Sequence, residues 1–339
     1  MSKMFDYVYA AGRRRQRSLR NKVLLGAILC FIAAVSWGAM FPVAHAAFRY
    51  IDPFYFTIIR YGSVTIILVL ILLWKEGKKA FRFEGKGLHL WFFGTMAFTV
   101  YNLLIFWGEN LLGESGVMEA SIMESLMPMI SIVIVWMTYK NRPPIFTLIC
   151  VFVSFIGAVL VITKGNIKAF LGATDHFIPT LLLLIAVIGW VIYTMGGSKF
   201  AGWSALRYST LSCLFGTVTA IVVVAGATLL GFISVPSEKN IIVIIPHLLF
   251  MIIFPGVIAL LGWNIGVNLL SPLNALLFIN FVPVTTLVIS TFQGGQVTTF
   301  DLVGTFFIIV SLLSNNIFLR MLQKRESKNH VQEDLLENI

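Results

Sequence analysis

The sequence predicts an all-α integral membrane protein with ten transmembrane helices, arranged as two inverted five-helix repeats. Three observations carry this. The chain of 339 residues is 58% hydrophobic and only 12% charged, with a mean hydropathy of +0.90. No soluble fold of this length hides so much apolar side chain, so a bilayer must be the solvent. The apolar residues gather into ten runs, each near or above the about 20 residues that cross a bilayer as a helix. The order of marker residues in the first five runs then returns in the last five.

The runs fall at about 23–48, 54–74, 88–108, 116–138, 145–163, 177–198, 204–233, 241–270, 273–292 and 299–321. None alternates in polarity as barrel strands do. The eighth and ninth almost touch at Ser271–Pro272. Ala33 and Trp37 in the first run recur as Ala186 and Trp190, and Met40 is matched by Tyr193. Asn110 and Leu111 recur as Asn268 and Leu269, Ala120 and Pro128 as Ala275 and Pro283, and Cys150 matches Gly304. An odd number of helices repeated in tandem enters the membrane from the opposite side the second time. The halves are then related by a pseudo-two-fold axis in the membrane plane. The organisation expected is a basic cytoplasmic tail (1–22), a first repeat (23–163), an extracytoplasmic linker (164–176), a second repeat (177–322) and a cytoplasmic tail (323–339). Both tails are expected to be mobile.

The net charge of +10 is explained by its placement. With the amino terminus in the cytoplasm, 20 of the 25 Lys and Arg residues fall on inner segments, four fall outside, and Arg60 lies within the second run. This asymmetry puts both termini in the cytoplasm, in a plasma membrane, and displaces a nucleic-acid reading. The basic stretch Arg13–Lys22 adds an affinity for anionic lipid. That stretch and Ala44-His45-Ala46 also resemble a signal peptide and its cleavage site. Cleavage would delete Trp37, which the second half duplicates, and would invert the charge asymmetry. Cys30, Cys150 and Cys213 sit singly in apolar runs, so no metal or redox spacing arises and no cofactor is expected.

The candidate site residues are the polar and aromatic side chains that do not belong in lipid. Glu124 lies well inside the fourth run, where a carboxylate costs about 2.5–3.5 kcal/mol on insertion scales. Ser121, Glu124, Ser125, Pro128 and Ser131 share one helical face, which should look inward. Glu124 is the candidate for proton coupling; the bland alternative is a carboxyl that only ties helices together. Glu109, Glu114 and Glu119 are expected on a solvated outer rim. Asn102 on the third helix, Asn264 on the eighth and Asn280 before Pro283 are candidates for cargo contact or for interhelical bridges. Trp37, Met40, Trp190, Tyr193 and Trp263 are expected to line a cavity, or else to be packing residues. Arg60 binds an anionic group or, on the structural reading, a helix carbonyl or Glu124. No phosphate loop, zinc spacing or nucleophile motif is present.

Ser36-Trp37-Gly38-Ala39 in the first run, Asp52-Pro53 followed by Arg60 in the second, Pro128 after Glu124 in the fourth and Pro283 in the ninth make an ordered set. In this set, over about 23–322, the chain resembles the drug/metabolite transporter superfamily, and within it the EamA-type exporters. The resemblance implies a central cavity lined by both halves, and export of small metabolites such as amino acids by alternating access without ATP. The second half departs from the first: Asp52-Pro53-Arg60 has no clear match beyond Ser204 or Arg207, and no acid matches Glu124. The sequence thus points to a non-enzymatic secondary transporter whose expected partners are a small-molecule substrate, membrane lipids and a second copy of the chain. A flippase for lipid or lipid-linked sugar is the alternative of the same architecture, and a membrane enzyme the alternative of another class.

Overall fold

The computed structural model describes residues 2–321 apart from 141, 164, 167–173, 295–297, 312, 316 and 319–320. The 323–339 tail and most of the 164–176 linker therefore lie outside the described residues. Among the described residues the secondary structure is helical throughout, without a strand.

The helices are α1 (Ser2–Phe48), α2 (Pro53–Glu76), α3 (Gly87–Leu111), α4 (Gly116–Glu124), α5 (Met127–Tyr139) and α6 (Ile145–Thr163). They continue with α7 (Thr174–Gly196), α8 (Ala205–Leu229), α9 (Glu238–Leu270), α10 (Pro272–Phe292) and α11 (Thr299–Asn315). Seven of these are long and apolar enough to cross a membrane, and eight if the bent pair α4–α5 is one span. The protein is thus a multi-pass membrane protein. Its outward faces carry large apolar side chains such as Ile66, Leu70, Phe152 and Val222, which suit lipid and not water. The basic amino-terminal segment, expected to be mobile, continues α1 as helix from Ser2. Its Arg and Lys residues are good helix formers, and no proline precedes Pro42.

Local chemistry sets the boundaries. Asp52 caps α2, accepting from the Phe54 backbone N–H at 2.8 Å, with Pro53 at the first helical position. Ser204 caps α8 in the same way, accepting from the Arg207 N–H at 2.9 Å. The counterpart of Asp52 is therefore Ser204. Counting forward from the caps, Arg60 is matched by Ser212 and not by Arg207. The fourth run is broken as its proline suggests: α4 and its continuation α5 meet at 43° just before Pro128. The ninth run tightens into a 3₁₀ turn at Leu277–Asn280, just before Pro283.

The packing between halves is reciprocal. The first helix, α1, lies against α9 and α10, while α7, its repeat counterpart, lies against α3 and α5. The second helices of each half, α2 and α8, pack on each other. Thr65 and Thr217, equally far from the Asp52 and Ser204 caps, join hydroxyls at 3.1 Å. The helices α6 and α11 pair through Thr147–Asn315 at 2.7 Å and Ser154–Ser311 at 2.6 Å.

A polar clasp closes one end of the bundle. The Glu84 carboxylate accepts from Arg207 Nη2 at 2.8 Å and from Trp203 Nε1 at 2.8 Å. The Arg207 guanidinium lies 3.8 Å over the Trp203 ring and also donates to the Arg82 carbonyl. The segment between α2 and α3 is thereby tied to the segment between α7 and α8. The hydrogen bond from Trp203, and next that from Arg207, hold the Glu84 carboxyl below the usual carboxylate range. A lowered pKa contributes stability above the unfolded value and loses it as pH falls through the folded one. Melting followed from neutral pH down past the ordinary glutamate range should show the wild type losing more than Glu84→Gln. Parallel curves would show that the clasp adds nothing, as exposed ion pairs often do.

Candidate functional site

Two interruptions in the helices shape the interior. In α3 the backbone widens into a π-helical stretch at Thr95–Tyr101, and in α9 into another at Ile252–Ile258. The two occupy matching places in the halves. Such stretches turn side chains off the regular face and expose carbonyls. In α9 the cause is legible: Pro255 has no N–H to give the Met251 carbonyl four residues earlier. That carbonyl instead accepts from Arg60 Nε at 3.2 Å. The Pro255 carbonyl accepts from Trp37 Nε1 at 3.2 Å.

An aromatic cluster forms where α1, α7 and α9 meet. Trp37 packs edge-on against Trp190 at 5.1 Å and against Trp263 at 5.2 Å between ring centroids. Trp190 also meets Tyr101 at 5.1 Å and Tyr193 at 5.3 Å. Trp263 Nε1 donates to Thr194 Oγ1 at 3.3 Å. The Asn264 amide donates to Tyr193 at 2.9 Å and Ser209 at 2.8 Å, which makes it a brace between α7, α8 and α9. The Trp190 indole N–H is buried with no acceptor.

Beside this cluster lie two enclosed ionisable groups. Arg60 is fully buried (0% exposed). Among the described residues its Nη atoms hydrogen-bond only the Met40 thioether, at 4.0 Å, and its charge sits 4.6 Å from the Tyr61 ring centre and 5.8 Å from that of Phe106. No carboxylate pairs with it among the described residues. Glu124, the last residue of α4, is also buried. Its Oε1 accepts from the Tyr101 hydroxyl, and its Oε2 has no partner. Tyr101 and Tyr61 both lie within electrostatic reach of Arg60 and Glu124. Asn102 gives its amide to the Ala97 carbonyl at 2.7 Å and leaves its Oδ1 buried and unpartnered.

The structure thus gathers Trp37, Met40, Asn102, Glu124, Trp190, Tyr193, Trp263 and Asn264 into one interior region. Ser121 and Asn280 make only local bonds, to the Met118 carbonyl at 2.8 Å and the Leu277 carbonyl at 2.9 Å. Tyr101 is the residue that the sequence reading lacked. Its one signal is a hydroxyl beside Asn102 at membrane depth. The expected solvated rim is corrected: Glu114 is exposed, but Glu109 and Glu119 are buried. The start of α4 packs onto the last turn of α3 there: a Cβ on Gly116 would stand 2.0 Å from the Glu109 carbonyl oxygen. Among the described residues no group of His, Cys, Asp and Glu could hold a metal.

An all-helical membrane protein with an enclosed polar and aromatic interior belongs with the proteins that bind or pass small molecules. The chain belongs to the EamA-like transporter family, whose profile matches residues 24–163 and again 178–317. It is 52% identical over 315 residues to the protein of Bacillus subtilis (strain 168) named "Uncharacterized transporter YrdR", covering 93% of this chain and 97% of that one. A second protein of that organism, "Uncharacterized transporter YyaM", is 26% identical over 287 residues, covering 84% and 91%. An "Uncharacterized transporter" of Archaeoglobus fulgidus is 24% identical over 271 residues, covering 79% and 89%. A crystal structure with 16% identity superposes with a TM-score of 0.63 over 88% of this chain and 98% of that one, and so shares the fold.

Proposed function

We propose that the chain is a secondary transporter that exports a small metabolite, an amino acid or related compound, across the cytoplasmic membrane by alternating access. The observation that carries this reading is the pair of buried ionisable groups without ion partners, Arg60 and Glu124, beside one aromatic wall. An amino acid carries a carboxylate and an ammonium. Arg60 supplies donors for the first, in the planar geometry that suits a carboxylate. The free Oε2 of Glu124 accepts from the second. Trp37 and Trp190 then face the side chain, and the unpartnered Trp190 N–H and Asn102 Oδ1 add polar contacts.

Ten spans and inverted halves belong to the same proposal, supported by the reciprocal packing of the helices. Both termini lie in the cytoplasm on the strength of the basic segments, including the clasp. The enclosure of the cluster, closed off from the lipid side, favours a soluble cargo over a lipid.

The test is flux in proteoliposomes with a pool of labelled amino acids and an imposed pH gradient. Movement of one compound that follows the gradient supports proton-coupled transport. Movement that ignores the gradient leaves transport standing and removes the coupling role of Glu124. Absence of any amino-acid flux, in liposomes holding folded protein, overturns the cargo assignment.

A further inference from the structure

A second pair of titratable groups lies apart from the central cluster, near the last turns of α1 and α3. Glu109 is fully buried (0% exposed), and neither of its carboxylate oxygens has a hydrogen-bond donor. His45 stands beside it: its Nδ1 is 3.9 Å from Glu109 Oε1 and also lacks a partner among the described residues. That distance is too long for a hydrogen bond, and about 1 Å of approach would make one. The two differ in access: the His45 side chain is 21% exposed and Glu109 is not exposed at all. Arg49 and Glu114 are the charged groups that act on His45 from the adjoining segments. From α4, Gly116 presses on the Glu109 backbone, and Glu119, with interactions of its own, lies one turn further on.

A carboxylate buried with no donor is strongly disfavoured, so Glu109 needs a proton or a partner that delivers one. We propose that His45 and Glu109 form a proton-binding site distinct from the central cluster. His45 takes the proton from water at this end of the bundle. Its Nδ1–H bond then breaks as an O–H bond forms on Glu109 Oε1, leaving a neutral imidazole and a neutral carboxylic acid. The proton is held in the dry space between α1, α3 and α4. The site does not depend on which cargo the protein moves, nor on Glu124.

The test is infrared spectroscopy of the purified full-length protein through a pH titration, reading the carbonyl stretch of protonated carboxyls. Glu109→Gln should delete one titrating band, and Glu124→Gln should leave that band in place. His45→Gln should move the midpoint of the Glu109 band by about one pH unit, the lower end of what one nearby charge contributes. Glu109→Asp keeps a carboxyl and should shift the band without deleting it, which guards against a variant that fails to fold. A spectrum of folded Glu109→Gln identical to wild type at every pH would overturn the site. So would a midpoint indifferent to His45.

Discussion

Glu124→Gln is expected to abolish cargo movement in proteoliposomes while the protein stays folded and monodisperse. Glutamine keeps the shape of the side chain and still offers an oxygen to the Tyr101 hydroxyl, so the contact between α3 and α4 survives. What it loses is the ability to take up and release a proton, and with it the charged form that would pair with a cargo ammonium. A hydrogen bond to a charged group is worth about 1.5–3 kcal/mol, which corresponds to about 10- to 150-fold in affinity. Flux equal to wild type at matched protein density would sink the role. Tyr101→Phe should give a smaller loss, because the carboxyl remains but its position is no longer fixed.

The second large effect concerns α3 and α8, which approach so closely that only glycine fits. A Cβ on Gly94 would lie 2.2 Å from the Ser212 carbonyl oxygen, and one on Gly216 would lie 2.1 Å from the Gly94 carbonyl oxygen. Both obstacles are backbone, so no side-chain rotation relieves them. Thr99 adds a hydrogen bond to the Gly216 carbonyl at 2.7 Å. Gly216→Ala must therefore push two helices apart, at a cost of about 1–3 kcal/mol or more for overpacking. A lowered melting temperature in detergent is the expected reading. Gly226→Ala is the control on the same helix, where no atom stands within 4 Å, and it should be neutral or slightly stabilising. Equal behaviour of the two variants would refute the close-packing argument.

Much of the interior could be read from the chain because repetition marks it. Trp37 and Trp190 stood out as counterparts in the first and sixth runs, and the structure puts them in contact. Pro128 and Pro283 marked matching places in the two halves, and the backbone bends before the first and tightens into a 3₁₀ turn before the second. The partner of Glu124 was not legible, because it sits on another helix and nothing local distinguishes Tyr101 from a packing tyrosine. The π-helical stretch of α9 contains Pro255, whereas that of α3 contains neither proline nor glycine to announce it. Glu109 was misplaced for a related reason. Position along a run gives depth only, and does not reveal that α4 starts against this turn of α3.

The contact between Trp37 and Trp190 has a mechanical consequence. A residue can touch its own repeat counterpart only near the axis that relates the two copies. Under the two-fold proposed for the halves, an exchange of their conformations maps this contact onto itself. Under that proposal the two indoles lie close to the pivot, and only the partners of their N–H groups would change: Trp37 donates to the Pro255 carbonyl here, whereas Trp190 donates to nothing among the described residues. A spectroscopic label there would move least through the cycle, whereas one on Glu84 or Arg207, far out on the lever, would swing the most.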